Sequence, residues 1–148
     1  MAKVWQLEML KAGHATLSTA ESCTGGLIGK KITDYAGASQ AYLGGFIVYS
    51  DAMKSRLLGI PLQYIKKYGA VSREVAVVMA LNAIKKTGSS YAVASTGYAD
   101  GAEHGKVWLA AASAACVVSR LFFFKGSREN VREEASEEAM QLLLEVTG

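Results

Sequence analysis

The sequence predicts an α/β domain: a mostly parallel mixed sheet with one antiparallel member, covered by helices on both faces. Three observations carry this prediction. Short runs of small and β-branched residues alternate with stretches of helical apolar spacing as far as Ser95. Two apolar runs, Lys106 to Ala114 and Val117 to Phe124, then follow one another as in a hairpin. Between Thr19 and Gly26 a strand ends directly in a glycine turn and a helix, and ligands of open α/β sheets sit beyond such strand ends.

The elements follow in order. Val4, Leu7, Leu10 and Lys11 give an amphipathic first helix, stopped by Gly13. Ala15 to Ala20 reads as the first strand. Leu27, Ile28 and Ile32 start a helix reaching Tyr35, with Thr24 as its expected N-cap. Gly37 to Ser39 reads as a loop and Tyr42 to Tyr49 as the second strand, where Gly44 and Gly45 mark a bulge or a close backbone approach. Asp51 is expected to cap a short helix with Lys54, Leu57 and Leu58, and Pro61 to open another that ends at Gly69. Ser72 and Glu74 begin a longer helix to about Lys86. Its stretch Val75 to Ile84 is apolar nearly all round, so it is expected to be buried on several sides, in a core or a subunit interface. Tyr91 to Ser95 is a buried strand, Thr96 to Gly105 a glycine-rich loop, and Ser127 caps a last helix.

Composition narrows the classes. The 148 residues amount to one domain, 51% hydrophobic and 20% charged with a single proline, which is a compact chain and not a disordered one. No repeat or linker interrupts it. The net charge of +3 raises nucleic acid as a partner, yet Lys30-Lys31, Lys66-Lys67 and Lys85-Lys86 fall near predicted helix C-termini, where cations complement the dipole. No nucleic-acid stripe is expected. The first residues hold no apolar run of a secretory signal, and the most apolar stretch, Val107 to Val118, is too short to span a bilayer. Two cysteines give no disulfide framework, and two histidines with two cysteines show no metal-ligand spacing. A cytoplasmic protein with neither metal, cofactor nor membrane is the expectation.

Ser22, Tyr49 and Thr96 all lie at or just beyond predicted strand ends, so three separate segments converge on one edge of the sheet. Ser22 precedes a helix whose first N–H groups and dipole favour negative charge, and Gly25 and Gly26 let a ligand approach the backbone. Taken alone, the pattern also fits a tight turn with a loop hydroxyl. A serine nucleophile needs a base. His14 falls in a turn and His104 in a loop, and no Ser-His-Asp spacing stands out. Lys54, on the first turn of its helix, would lose proton affinity if half-buried, though it also reads as a surface lysine. Cys23 is the alternative nucleophile at the helix start, expected instead to pack inside, and Glu21 is expected to orient the turn. Arg128 and Arg132, four apart at the start of the last helix, suit either a nearby anion or ordinary exposed pairs with glutamates.

The longer stretch Thr19-Ala-Glu-Ser-Cys-Thr-Gly-Gly26 resembles the signature of the CinA C-terminal domain family, whose characterised activity is nicotinamide-nucleotide amidohydrolase. Gly37-Ala-Ser39, Gly44-Gly45, Val48-Tyr-Ser-Asp-Ala-Met-Lys54, Leu58-Gly-Ile60, Gly69-Ala-Val-Ser72 and Lys125-Gly-Ser-Arg128 continue the resemblance across residues 1–148. It implies a single domain with a three-layer α/β/α sandwich, and a hydrolase that converts nicotinamide mononucleotide to nicotinic acid mononucleotide and ammonia without a cofactor. Ser22, Tyr49 and Lys54 match the family's catalytic serine, tyrosine and lysine. Thr24, Gly25, Gly26, Thr96 and Arg128 are the expected substrate contacts, and a small-molecule nucleotide the expected partner. One segment departs from the pattern. Where the family has a loop such as Thr-Gly-Ile-Ala-Gly-Pro, this chain has a shorter one with Tyr98 and Asp100, followed by Lys106. That change opens an alternative, a nucleotide-binding or scaffold protein that keeps the fold without turnover. A homo-oligomer is expected, from the apolar helix after Ser72.

Overall fold

The structure, a computed structural model, describes the backbone of residues 2–147 and the side chains of residues 6–147. Val4 therefore lies outside the described side chains. The chain runs α1 (Ala2–Ala12), β1 (Leu17–Glu21), α2 (Leu27–Thr33), β2 (Tyr42–Ile47), α3 (Asp51–Leu58), α4 (Leu62–Tyr68), α5 (Arg73–Thr87), β3 (Tyr91–Gly97), β4 (Lys106–Ser113), β5 (Val117–Phe123) and α6 (Arg128–Thr147). The strands form one sheet in the order β2-β1-β3-β4-β5. β1 runs parallel to both β2 and β3, whereas β4 is antiparallel to β3 and β5 and is the single antiparallel member.

Side chains alternate across the sheet and divide the core in two. Leu17, Val93, Leu109 and Ala111 face α1, α2 and α6, and pack with Leu10, Ile28, Met140 and Leu143. Ala20, Ala92, Ala94, Ala110 and Ala112 face the other way, toward α3, α4 and α5. That second face is built of alanine, so α5 lies close on it through Val75, Ala76, Met79, Ala80 and Ala83. The result is a three-layer α/β/α sandwich. It also accounts for the apolar circumference of α5 within the chain, because Val77, Val78, Leu81 and Ile84 are partly covered in the same cluster as residues of α3 and α4.

Several local expectations are corrected. The first strand starts at Leu17, because His14 takes a left-handed turn (φ 54°) and the chain re-aligns through Ala15 and Thr16. Ala38 to Gln40 forms one turn of 3₁₀-helix, not a loop. Ser50, not Asp51, caps α3, its hydroxyl accepting the Met53 N–H at 3.1 Å. Pro61 stands at the cap position before α4. β3 continues two residues past Ser95, since β4 pairs with it as far as Gly97. The glycine pair in β2 does both things expected of it. The register skips Leu43, and a Cβ on Gly45 would lie 2.0 Å from the Thr19 hydroxyl of the neighbouring strand.

Candidate active site

Because β1, β2 and β3 are parallel, their C-terminal ends open on the same edge of the sheet. Ser22 follows β1, Tyr49 follows β2, and Thr96 ends β3, and all three line one cleft of about 210 Å³. Lys54 from α3 enters from the side. Its side chain is 2% exposed, and its Nζ lies 3.1 Å from the Ser22 hydroxyl, itself 7% exposed. Burial lowers the pKa of Lys54, and the nearby Asp51 carboxylate opposes that shift only in part. A buried amine with a lowered pKa thus touches a serine at the mouth of a cleft. Ser–Lys pairs of this geometry suit nucleophilic attack on a carbonyl.

The turn that presents Ser22 is held by Glu21. This carboxylate is 2% exposed and accepts hydrogen bonds from the N–H groups of Gly26, Ile28 and Gly29 (3.1, 2.9 and 2.9 Å) and from the Thr24 hydroxyl (2.7 Å). An internal anion therefore occupies the N-terminus of α2. The expectation that this helix start receives a ligand's charge is corrected, and so is the cap: α2 begins after Gly26, and Thr24 donates to Glu21 rather than accepting from the helix.

The same arrangement fixes the places of three expected substrate contacts. The Thr24 side chain is fully buried between Glu21 and Ser95, 2.7 Å from each. Gly25 and Gly26 take left-handed conformations (φ 59° and 101°) that favour glycine, and they face the Arg132 guanidinium and the Ile47 side chain. Gly25 also gives its N–H to the Ser22 carbonyl. These residues shape the turn and lie against neighbouring side chains. Thr96, 1% exposed, donates its hydroxyl to the Ala70 carbonyl at 2.7 Å and fixes the cleft wall made by Ala70 and Val71. Cys23 packs inside as expected, and burial pushes its thiol up to about 11.

Tyr49, which matches the family's catalytic tyrosine, lines the cleft but no bond to Ser22 or Lys54 is seen. Instead its hydroxyl accepts from the Arg128 guanidinium at 2.9 Å, while another nitrogen of Arg128 pairs with Asp100. Arg132 donates to the Thr24 carbonyl at 3.1 Å, so the two arginines of the last helix have separate tasks. Arg128 lies at the cleft mouth and Arg132 clamps the Ser22 turn. The sequence marked Asp100 as a departure in its loop and Ala70 and Val71 only as part of a longer stretch; that these loops line the cleft is decided by the fold. Among the described residues, no group of His, Cys, Asp and Glu is placed to hold a metal ion, and no helix is long and apolar enough to cross a membrane.

The model of the family described as the CinA C-terminal domain matches residues 3–147. The chain belongs to this family. A CinA domain of this kind is also found in a CinA-like protein of Geotalea daltonii, 46% identical over 142 residues, which cover 91% of this chain and 34% of that protein. The chain thus spans about a third of the length of such CinA-like relatives. It is 41% identical over 143 residues to an Escherichia coli protein named nicotinamide-nucleotide amidohydrolase PncC, covering 92% of this chain and 87% of that protein. Among solved structures, the competence/damage inducible protein CihA of Agrobacterium tumefaciens superposes on this CinA domain with a TM-score of 0.94 at 30% identity, covering 99% of this chain and 94% of the other.

Proposed function

We propose that this CinA domain hydrolyses the carboxamide of nicotinamide mononucleotide to nicotinic acid mononucleotide and ammonia. The observation that carries the reading is the 3.1 Å contact between buried Lys54 and Ser22 at the cleft mouth. The similarity to the E. coli protein named nicotinamide-nucleotide amidohydrolase PncC, over 92% of this chain and 87% of that protein, supports the choice of substrate. In this reading the enzyme works in the cytoplasm on a small-molecule nucleotide, as a homo-oligomer and without a cofactor.

Ser22 Oγ attacks the amide carbon as its proton passes to neutral Lys54 Nζ. The resulting ammonium returns that proton to the amide nitrogen, the C–N bond breaks, and ammonia leaves an acyl-Ser22. Water then gives a proton to Lys54 and adds to the acyl carbon. Collapse releases the carboxylic acid, and Ser22 Oγ recovers its proton from Lys54. The developing oxyanion is assigned to the turn after Ser22, where the N–H groups of Gly25, Gly26, Ile28 and Gly29 already have acceptors within the chain. Tyr49, accepting from Arg128, keeps its own proton to donate to a ligand at the mouth.

The test is ammonia release from nicotinamide mononucleotide by the intact chain, beside calorimetric binding of the same compound. Turnover that vanishes in Ser22→Ala supports the reading. Binding at saturation without ammonia release overturns it in favour of a nucleotide-binding protein that keeps the fold without chemistry.

A further inference from the structure

The Arg128 guanidinium spans the cleft mouth between two lining residues, Tyr49 after β2 and Asp100 in the loop after β3. The Tyr49 hydroxyl accepts one N–H of this guanidinium. The Asp100 carboxylate pairs directly with the same guanidinium, 75% exposed on the acidic side and 47% on the basic side. Exposed pairs of this kind contribute little and exchange readily with solvent and competing ions. A phosphate monoester, with up to two charges and three acceptor oxygens, matches the arginine fork better than one carboxylate does.

The neighbouring backbone says how such an exchange takes place. Ala99 is 5% exposed and belongs to the core beneath the sheet, so the chain is pinned immediately before Asp100. The base of the loop is closed by the Tyr98 N–H to the Lys106 carbonyl at 2.9 Å and by the Gly105 N–H to the Tyr98 carbonyl at 2.7 Å. Asp100 thus stands just beyond a pinned residue, where rotation of its side chain can free Arg128. Tyr49 stays bonded and keeps the guanidinium aimed at the mouth.

We infer that Asp100 is an affinity-setting latch: it occupies Arg128 in the free protein and must be displaced by the phosphate of an incoming ligand. The carboxylate thereby lowers the preference for phosphorylated over unphosphorylated ligands without touching the reacting amide. The identity of the amide substrate rests on the proposed amidase reading, but the competition at Arg128 does not.

The test uses Asp100→Asn, Arg128→Ala and the double variant in the full chain. Inorganic phosphate is titrated by calorimetry into the unaltered chain and into each variant. Asp100→Asn is expected to tighten phosphate by about two- to fivefold, the range of one exposed ion pair. Steady-state kinetics should show KM for nicotinamide mononucleotide falling by a similar factor with kcat held, and KM for the riboside that lacks the phosphate unmoved. The gain must vanish in the Arg128→Ala background, because Asp100 acts only through that arginine. A gain that persists there means simple repulsion and overturns the latch, as does an unchanged phosphate affinity in Asp100→Asn. Absence of ammonia release by the unaltered chain would defeat the amidase reading alone, since the phosphate titration still decides the latch.

Discussion

In the proposed mechanism Lys54 is the base, and its buried position is costly. It is among the largest fully buried side chains of the molecule, and burial disfavours its charged form. Across the window between its lowered pKa and the ordinary lysine value of about 10.4, the folded chain binds fewer protons there than the unfolded chain. This group's contribution to stability therefore improves as pH rises through that window. Lys54→Met is expected to raise stability at neutral pH by about 1 kcal/mol, a gain that shrinks toward high pH, while abolishing amidase activity. Thermal melts at several pH values check the first part. In the unaltered chain the rate should climb with pH along a limb centred below the ordinary lysine value, because the base works only when neutral. A limb centred at or above that value would show that Lys54 is not the base. Ser22→Ala and Lys54→Ala should each remove ammonia release with the fold intact, and the double variant should lose little more. Cys23→Ala should retain activity, since its thiol is buried with a raised pKa; loss there with full activity in Ser22→Ala would move the nucleophile by one residue.

At the scale of the element, the unit that matters is β1, its turn and α2. Glu21 ends the strand and folds its carboxylate forward over the helix start, so that four donors converge on it. A helix beginning with exposed N–H groups would offer an anion site to solvent, and here the chain supplies the anion itself. Glu21→Ala leaves buried donors without acceptors and is expected to destabilise by about 2–3 kcal/mol, read from denaturant melts. Activity should fall further than stability explains, because Ser22 is the next residue and its hydroxyl must hold the 3.1 Å contact with Lys54. Wild-type kcat in a folded Glu21→Ala would separate the turn from the chemistry. β2 adds a second constraint: Gly45 passes so close to Thr19 that any side chain would displace the strand leading into Ser22.

For the whole molecule, self-association has to be argued from surfaces other than α5, whose apolar sides are met within the chain. β2 is an edge strand carrying Leu43 and Ile47, 51% and 57% exposed. Edges that are apolar and unpaired tend to be covered. We expect a homo-oligomer in solution, and light scattering at high micromolar concentration checks it; a monomer there rejects it.

Alternating strand and helix patterns, a terminal hairpin, glycines at turns and the lysines that end α2, α4 and α5 were determined by local sequence, because period and capping act over a few residues. The convergence of Ser22, Tyr49 and Thr96 was legible too, since parallel strands place their C-terminal ends together. Other features were decided only by the tertiary structure. Arg128 meets Asp100 and Tyr49 across 28 and 79 residues, and Lys54 is buried against Ser22 only once α3 is packed there. In each case the charge state and the partner depend on burial and on contacts that no stretch of sequence contains, because the groups that shift or hold a side chain come from other elements of the fold.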